Sequence, residues 1–159
     1  MKLSFGMIFS IILIIVFIVF AFFAIKKFLG IQDAIKIGQF IDKLQSDVDK
    51  IWRSNQGTQE QEYSLPSKIE AVCFVDYSSS GRGQNQNYYQ KLKQVYDGGK
   101  NLIFYPVGSG SGLDSFEIMH IDLEKITNSE NPFCIENKDR KIRVIIEKDF
   151  GENLVKITK

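Results

Sequence analysis

Histidine and cysteine, the side chains that most often carry out catalysis or hold metals, are scarce in this chain. Among 159 residues there are one histidine, His120, and two cysteines, Cys73 and Cys134. A single histidine cannot make a typical zinc site alone, and neither cysteine belongs to a CxxC motif or a cysteine–histidine cluster. Because general acid–base catalysis most often uses histidine, we expect no enzyme, no metal site and no cofactor.

An excess of charge of one sign is also missing. Twenty lysines and arginines oppose nineteen aspartates and glutamates, which gives a net charge of +1. A chain without a basic field does not attract the phosphates of nucleic acid, so we expect no nucleic-acid partner. Its length allows one modest domain and makes a second independently folded one improbable.

Charge is absent altogether from a long segment near the N-terminus. Leu3–Ile25 is a run of 23 uncharged, mostly apolar residues, followed at once by Lys26 and Lys27. As a helix this run is about 34 Å long, against about 30 Å for the hydrocarbon layer of a bilayer. A cleaved signal peptide usually has about 7–15 apolar residues and a small-x-small cleavage site, which the segment Ala-Phe-Phe-Ala at 21–24 does not supply. The sequence therefore predicts an uncleaved, single-pass transmembrane anchor over residues 1–29, with the lipid bilayer as its partner.

Two features favour opposite orientations of this anchor. Four lysines that follow the span outnumber Lys2, and by the positive-inside rule they favour a cytoplasmic C-terminal part. Cys73 and Cys134 favour the outside, because a disulfide is their natural use and disulfides persist in oxidising compartments. Their bridge would stabilise the fold by about 4 kcal/mol through loop closure, whereas two reduced, buried thiols are the alternative. We place the head outside the cell.

An amphipathic helix is predicted directly after the anchor, over residues 30–53. Its apolar positions alternate in steps of three and four, and no proline interrupts the chain before Pro66. The helix therefore continues from the membrane as a stalk. The residues expected to form its contact surface are Ile37, Ile41, Leu44, Val48 and Ile51. They can pack on the chain's own sheet or on other copies of the chain.

The remainder is predicted to be a linker and a β-rich head. Residues 54–67 are polar and contain glycine and proline, as linkers do, and residues 68–159 form the head. Alternating or β-branched segments predict strands over 69–77, 101–107, 116–123, 133–136, 142–148 and 154–158. The last two are joined by a short loop with a glycine, which predicts a hairpin. Helical spacing from Tyr88 to Tyr96 predicts one short helix.

Few motifs in the head suggest a ligand site. His120, near Glu117 and Asp122, is expected to be a solvated or hydrogen-bonded side chain rather than a catalytic group. The GSGSG segment at 108–112 lacks the frame of a phosphate-binding loop and is expected to be a flexible loop. Tyrosines 88, 89 and 96 with lysines 91 and 93 suggest either a binding surface or a helix that covers one sheet face.

The arrangement resembles that of type IV pilins and related pilin-like proteins. The likeness is carried by a short basic N-terminus, an apolar helix that starts near Gly6, its amphipathic continuation to Arg53 and a small β-rich head with a cysteine pair. In that family an acidic residue commonly lies five places after the cleaved glycine, whereas this chain has Ile11 there. The segments KLSFGMIFSIILII and LPSKIEAVCFVDY also resemble archaeal single-pass membrane proteins, and that resemblance implies no particular activity.

Together these patterns predict an α+β fold. An N-terminal transmembrane helix continues into an amphipathic stalk helix, and a small, mainly antiparallel β-sheet head with one short helix follows. The predicted function is that of a membrane-anchored, non-catalytic binding or assembly protein with an extracytoplasmic head. The alternatives are a pilin-like filament subunit and a domain tethered to the membrane on its cytoplasmic side.

Overall fold

The structure, a computed structural model, describes residues 5–94 and 98–159, which form helices and antiparallel strands. In chain order the elements are α1 (Phe5–Trp52), β1 (Gly57–Ser64), β2 (Ala71–Phe74), α2 (Gln86–Lys93), β3 (Leu102–Tyr105), β4 (Ser115–Phe116), α3 (Leu123–Ile126), β5 (Phe133–Glu136), β6 (Lys141–Lys148) and β7 (Lys156–Thr158). The predicted α+β fold, with a long N-terminal apolar helix followed by antiparallel sheets and a short helix, is confirmed.

The chain divides into two compact units, of which the first is Met1–Gln32. Its described part is the beginning of α1, where apolar side chains are exposed on every side. Ile11, Ile12, Leu13 and Ile14 are 49%, 55%, 41% and 56% exposed, and four successive residues cover the whole circumference of a helix. The helix is long and apolar enough to cross a membrane. Residues 1–4, at the start of the predicted anchor, lie outside the described part of the chain.

The second unit, Asp33–Lys159, contains the rest of α1, and here one face of the helix is buried. The buried side chains are Ile37, Phe40, Leu44, Val48 and Ile51. Four of the five predicted contact positions belong to this face. The fifth, Ile41, is only partly buried, and Phe40, which was not predicted, is buried instead. The face lies in one core cluster with residues of the sheets, so its contact is with the chain's own head.

Two antiparallel sheets form the head, with strand orders β1-β6-β7 and β4-β3-β2-β5. The main core contains apolar residues of α1 and of both sheets. A second, smaller core lies on the other side of β2, where Ala71 and Cys73 pack with Tyr89 and Leu92 of α2. Because both of its faces are covered, all four residues of β2 are buried, which explains its continuous apolar sequence.

A disulfide between Cys73 and Cys134 joins β2 to β5, as predicted for this pair. The two residues face each other in the antiparallel register and belong to the smaller core, where they are 0% and 5% exposed. The bridge closes a loop across a sequence separation of 61 residues. On the loop-closure model a bridge of this span stabilises the fold by about 4 kcal/mol.

The prediction that residues 54–67 form a linker is wrong, because this segment contains β1. The strand pairs with β6 over its full length, from Gly57 opposite Lys148 to Ser64 opposite Lys141. It is polar because it is an edge strand whose outer face is exposed, with Tyr63 as its one buried residue. On the exposed face its glutamates pair with cations of β6, for example Glu62 with Lys141 at 2.6 Å.

The predicted strand over 116–123 is also mostly wrong, because β4 ends at Phe116 and α3 begins at Leu123. Between them His120 has a φ of +64°, which interrupts an extended strand. The C-terminal hairpin is confirmed, with Ile146 of β6 opposite Ile157 of β7. The short helix is present as α2, although residues 95–97, which include the predicted helix positions Val95 and Tyr96, lie outside the described residues.

We predict that the buried face of α1 contributes strongly to the stability of the head. Replacing Leu44, which is 1% exposed, by alanine leaves a cavity in the main core and should lower the free energy of unfolding by about 2–5 kcal/mol. The measurement is denaturant unfolding of the full-length protein in detergent, followed by circular dichroism. The matched control is Lys43→Ala, one residue away on the exposed side, for which the change should stay within about 0.5 kcal/mol. Equal effects of the two substitutions would contradict the packing of this face on the head.

Candidate functional site

A groove of about 910 Å³ runs along β5 in the head. It is lined by β5 with the turn that follows, by the N-terminal end of α2 and the end of the β1–β6 pair, and also by residues from the start of β2, by Tyr105 of β3 and by Lys159. The lining residues used below are Glu62, Tyr88, Tyr105, Cys134, Glu136 and Lys141. Its volume is within the range of about 300–1,000 Å³ that is usual for ligand sites.

The free edge of β5 supplies backbone hydrogen-bonding groups to this groove. Among residues 5–94 and 98–159, β5 is the terminal strand of its sheet and pairs with β2 alone. Cys73 and Cys134 are separated by 4.1 Å between Cα atoms, the spacing of a pair that does not exchange backbone hydrogen bonds. The N–H and C=O groups of Cys134 and Glu136 therefore point away from β2. In agreement, the Nζ of Lys159 donates to the carbonyl oxygen of Cys134 at 3.4 Å.

A stacked pair of tyrosines lies beside this edge. The rings of Tyr88, in α2, and Tyr105, in β3, are 4.1 Å apart between centroids and inclined by 19°. Both side chains are half-buried, and the ammonium of Lys91 lies 5.8 Å from the centre of the Tyr105 ring. Tyrosine offers a large contact area at a low cost in conformational entropy, so this pair is suited to contact a ligand.

The tyrosines considered either as a binding surface or as part of a helix that covers one sheet face are divided between the groove and the core. Tyr88 lies in the groove, whereas Tyr89 is buried and donates from its hydroxyl to the carbonyl oxygen of Ser79 at 2.7 Å. Burial raises the pKa of Tyr89 above its ordinary value. Tyr96 lies outside the described residues. The partner of Tyr88, Tyr105, was not predicted, because it is 17 residues away and no local pattern connects the two.

Charges around the groove are paired with one another. Lys141 binds Glu62 at 2.6 Å, Lys138 binds Glu136 at 3.2 Å, and Lys159 binds Glu130 at 2.6 Å. The hydrogen bond from Lys141 holds the pKa of Glu62 below its ordinary value. Because cations and carboxylates alternate, the groove has no net field that would select an anion or a cation. Recognition there depends on backbone groups and on the tyrosine pair.

His120 lies in a second polar cluster, which joins α1 to the segment after β4. Its Nδ1 is 2.9 Å from Oδ1 of Asp49, and since a carboxylate only accepts, the imidazole N–H donates. Its ring stacks on Trp52 with centroids 3.7 Å apart and planes inclined by 6°. The same carboxylate accepts from Gln45 at 2.8 Å, and the hydrogen bond from His120 holds the pKa of Asp49 below its ordinary value.

This cluster connects α1 with the segment after β4. The neighbours considered from the sequence are not partners of the imidazole, because Asp122 instead accepts from the backbone N–H of Lys125 at 3.0 Å and caps α3. Within residues 5–94 and 98–159, no three side chains of histidine, cysteine, aspartate or glutamate are grouped to hold a metal ion. Trp52 donates from its indole N–H to the carbonyl oxygen of Asn153 at 3.1 Å, which fixes the end of α1.

Comparison with known proteins gives no relative. No protein-family model, no curated protein and no solved structure matches this chain.

The pairing of Asp49 with His120 predicts a pH-dependent contribution to stability. Because the pKa of Asp49 is lowered by folding, this contribution is complete above its ordinary value of 3.8 and is lost as the pH falls through the lowered pKa. His120→Asn, which tolerates the positive φ, should raise the pKa of Asp49 toward that value. At pH 7 it should lower the free energy of unfolding by about 1 kcal/mol, and by less near pH 2.

The pKa is measured by carboxyl NMR and the stability by urea unfolding at the two pH values. Glu117→Gln is the matched control, because Glu117 is an exposed carboxylate in the same segment. A loss of stability in His120→Asn that is identical at pH 7 and pH 2 would assign the whole effect to the stack on Trp52 and refute the role of the carboxylate.

Proposed function

We propose that this protein is a single-pass membrane protein with a non-catalytic head that binds a partner. The observation that carries the proposal is the exposure of apolar side chains around the whole circumference of α1 in the first unit. A helix that is apolar on all sides requires either a protein core or lipid around it. None of its most apolar stretch is buried within the chain, which supports lipid as its environment.

The head is proposed to lie on the outer side of the membrane. The bridge between Cys73 and Cys134 supports this orientation, because structural disulfides persist in oxidising compartments and are rare in the cytosol. The lysines after the span favour the opposite side by the positive-inside rule. For the orientation of the head we give the bridge more weight than the lysines, because the two cysteines lie opposite each other on paired strands and are buried in the smaller core.

The ligand proposed for the head is an extended segment of another polypeptide. The free edge of β5 presents the N–H and C=O groups of Cys134 and Glu136 in the groove, and such an edge can accept an additional strand. The tyrosine pair at Tyr88 and Tyr105 supplies the side-chain contact that backbone pairing lacks. The alternating charges favour a segment of mixed or low charge.

A pilin-like filament subunit is a second candidate, favoured by one observation. A single helix, α1, provides an exposed apolar part, up to Gln32, and a face from Ile37 to Ile51 that is buried against an antiparallel head. In such a subunit the apolar parts of many copies would pack together outside the lipid. Filaments on cells, or proteolytic processing after Gly6, would favour this candidate over the permanently anchored protein.

Anchoring and orientation are tested with two single-cysteine additions to the full-length chain, Ser10→Cys in the apolar segment and Ser46→Cys on the exposed side of α1. With a membrane-impermeant maleimide on intact cells, we expect Cys at 46 to react and Cys at 10 to stay unlabelled even after lysis. The native pair should resist labelling unless reductant is added. Reaction at 10 after lysis would contradict the anchor. Reaction at 46 only after lysis would place the head in the cytoplasm.

Binding at the β5 edge is tested with Glu136→Pro. Proline removes the backbone N–H of residue 136, which points away from β2, so the hydrogen bonds between β5 and β2 are kept. A photo-crosslinking residue at Gln84, which lines the groove, reports the partner in cells. Loss of one backbone hydrogen bond should reduce adduct formation about 3- to 10-fold. Glu136→Ala is the matched control, because it removes the same side chain and keeps the N–H. Equal adduct yields in the two variants would contradict strand addition.

A further inference from the structure

The loop from Pro106 to Asp114 is attached to the start of the head by a shared lysine. The Nζ of Lys68 forms an ion pair with Asp33 at 3.0 Å and also contacts the hydroxyl of Ser111. Asp33 is the first residue of the second unit. The middle of the loop is therefore held within a few ångströms of the point where the head begins.

The length of the chain between this point and the apolar segment is short. Asp33 follows Lys27 by six residues, and even a fully extended chain of that length spans only about 21 Å. Between them Phe28, Leu29 and Ile31 are still apolar and more than half exposed. If the apolar segment lies in lipid, covalent connection alone keeps Asp33, and the loop bound to it, near the headgroup layer.

The composition of the loop suits that layer. Val107 and Leu113 are 40% and 37% exposed, although the head otherwise buries most of its large apolar residues. The one charged residue of the loop, Asp114, directs its carboxylate inward and accepts from the backbone N–H of Gly110 at 2.7 Å. Contact of these two aliphatic side chains with the boundary between headgroups and acyl chains would remove apolar surface from water, which is favourable.

Hydrogen bonds within the loop form turns in its backbone. The backbone N–H of Leu113 donates to the carbonyl oxygen of Gly110 at 3.0 Å, and that of Ser109 donates to Pro106 at 3.0 Å. Gly108 and Gly112 have φ values of +87° and +88°, which glycine adopts without steric cost. Val107 and Leu113 thus flank a hydrogen-bonded turn.

We infer that this loop is a lipid-contact site, at which Val107 and Leu113 enter the boundary between the phospholipid headgroups and the acyl chains. The inference rests on the proposed membrane anchor. It adds a second point of contact with the bilayer.

The test uses the full-length protein in phosphatidylcholine vesicles, with one cysteine added by Leu113→Cys and labelled with an environment-sensitive fluorophore. In the vesicles the emission of this label should shift to the blue, and lipids with a nitroxide near the headgroup should quench it. The matched control is Phe150→Cys in the β6–β7 loop, which is 81% exposed. That loop joins Trp52 through Asn153, about 28 Å along α1 from Asp33, so its label should be quenched at least about twofold less.

Vesicle flotation of the same samples separates the two proposals. Protein that fails to float with the vesicles contradicts the anchor itself. Protein that floats but shows equal quenching at 113 and 150 refutes the lipid-contact site alone. A blue shift at 113 without quenching by the nitroxide lipids indicates a protein surface over the loop and also refutes the inference. A label introduced by Val107→Cys should give the same result as the label at 113. Agreement between the two positions excludes a local disturbance caused by either substitution.

Discussion

The burial of one face of α1 between the two sheets is the interaction on which the head depends. Neither sheet is large: one has three strands and the other four, and both contribute residues to a single core around Ile37, Leu44 and Val48. A small sheet cannot bury enough apolar surface by itself, so it needs a partner layer. Here that layer is supplied by the helix that also carries the apolar N-terminal segment. The exposed apolar segment and the helical layer that covers the sheets are therefore parts of one element.

Polar contacts at several positions along α1 also hold the helix against the rest of the head. Asp47 accepts from the hydroxyl of Tyr63 in β1 at 2.7 Å, and Gln45 accepts from the backbone N–H of Met119 at 2.9 Å. Burial, with this hydrogen bond to Asp47, raises the pKa of Tyr63 above its ordinary value. At the end of the helix Lys148 donates to the carbonyl oxygens of Trp52 and Ser54, at 2.6 Å and 2.9 Å. Such contacts set the register of the helix on the sheets, which apolar packing alone leaves less defined.

Those parts of the fold that rest on local patterns could be predicted, and those that rest on distant contacts could not. The long helix, the C-terminal hairpin and α2 follow from periodicity within a few neighbouring residues. β1 was missed because its partner β6 lies about eighty residues later and its own alternation is entirely polar up to Tyr63. The groove has the same origin: Tyr88, Tyr105 and Cys134 meet only because two sheets and a helix place them together. No spacing in the sequence indicates that these three residues lie close together.

The location of the head and its stability are linked through the disulfide. In an oxidising compartment the bridge between Cys73 and Cys134 holds β5 on β2, and loop closure contributes about 4 kcal/mol. That amount is a large part of the 5–15 kcal/mol or so by which domains are generally stable. In a reducing compartment β5 would lose this covalent link and keep its pairing with β2, its apolar contacts and the hydrogen bond from Lys159. A groove built on the free edge of β5 needs a fixed strand, so the same bridge that favours an external head also preorganises the proposed binding site.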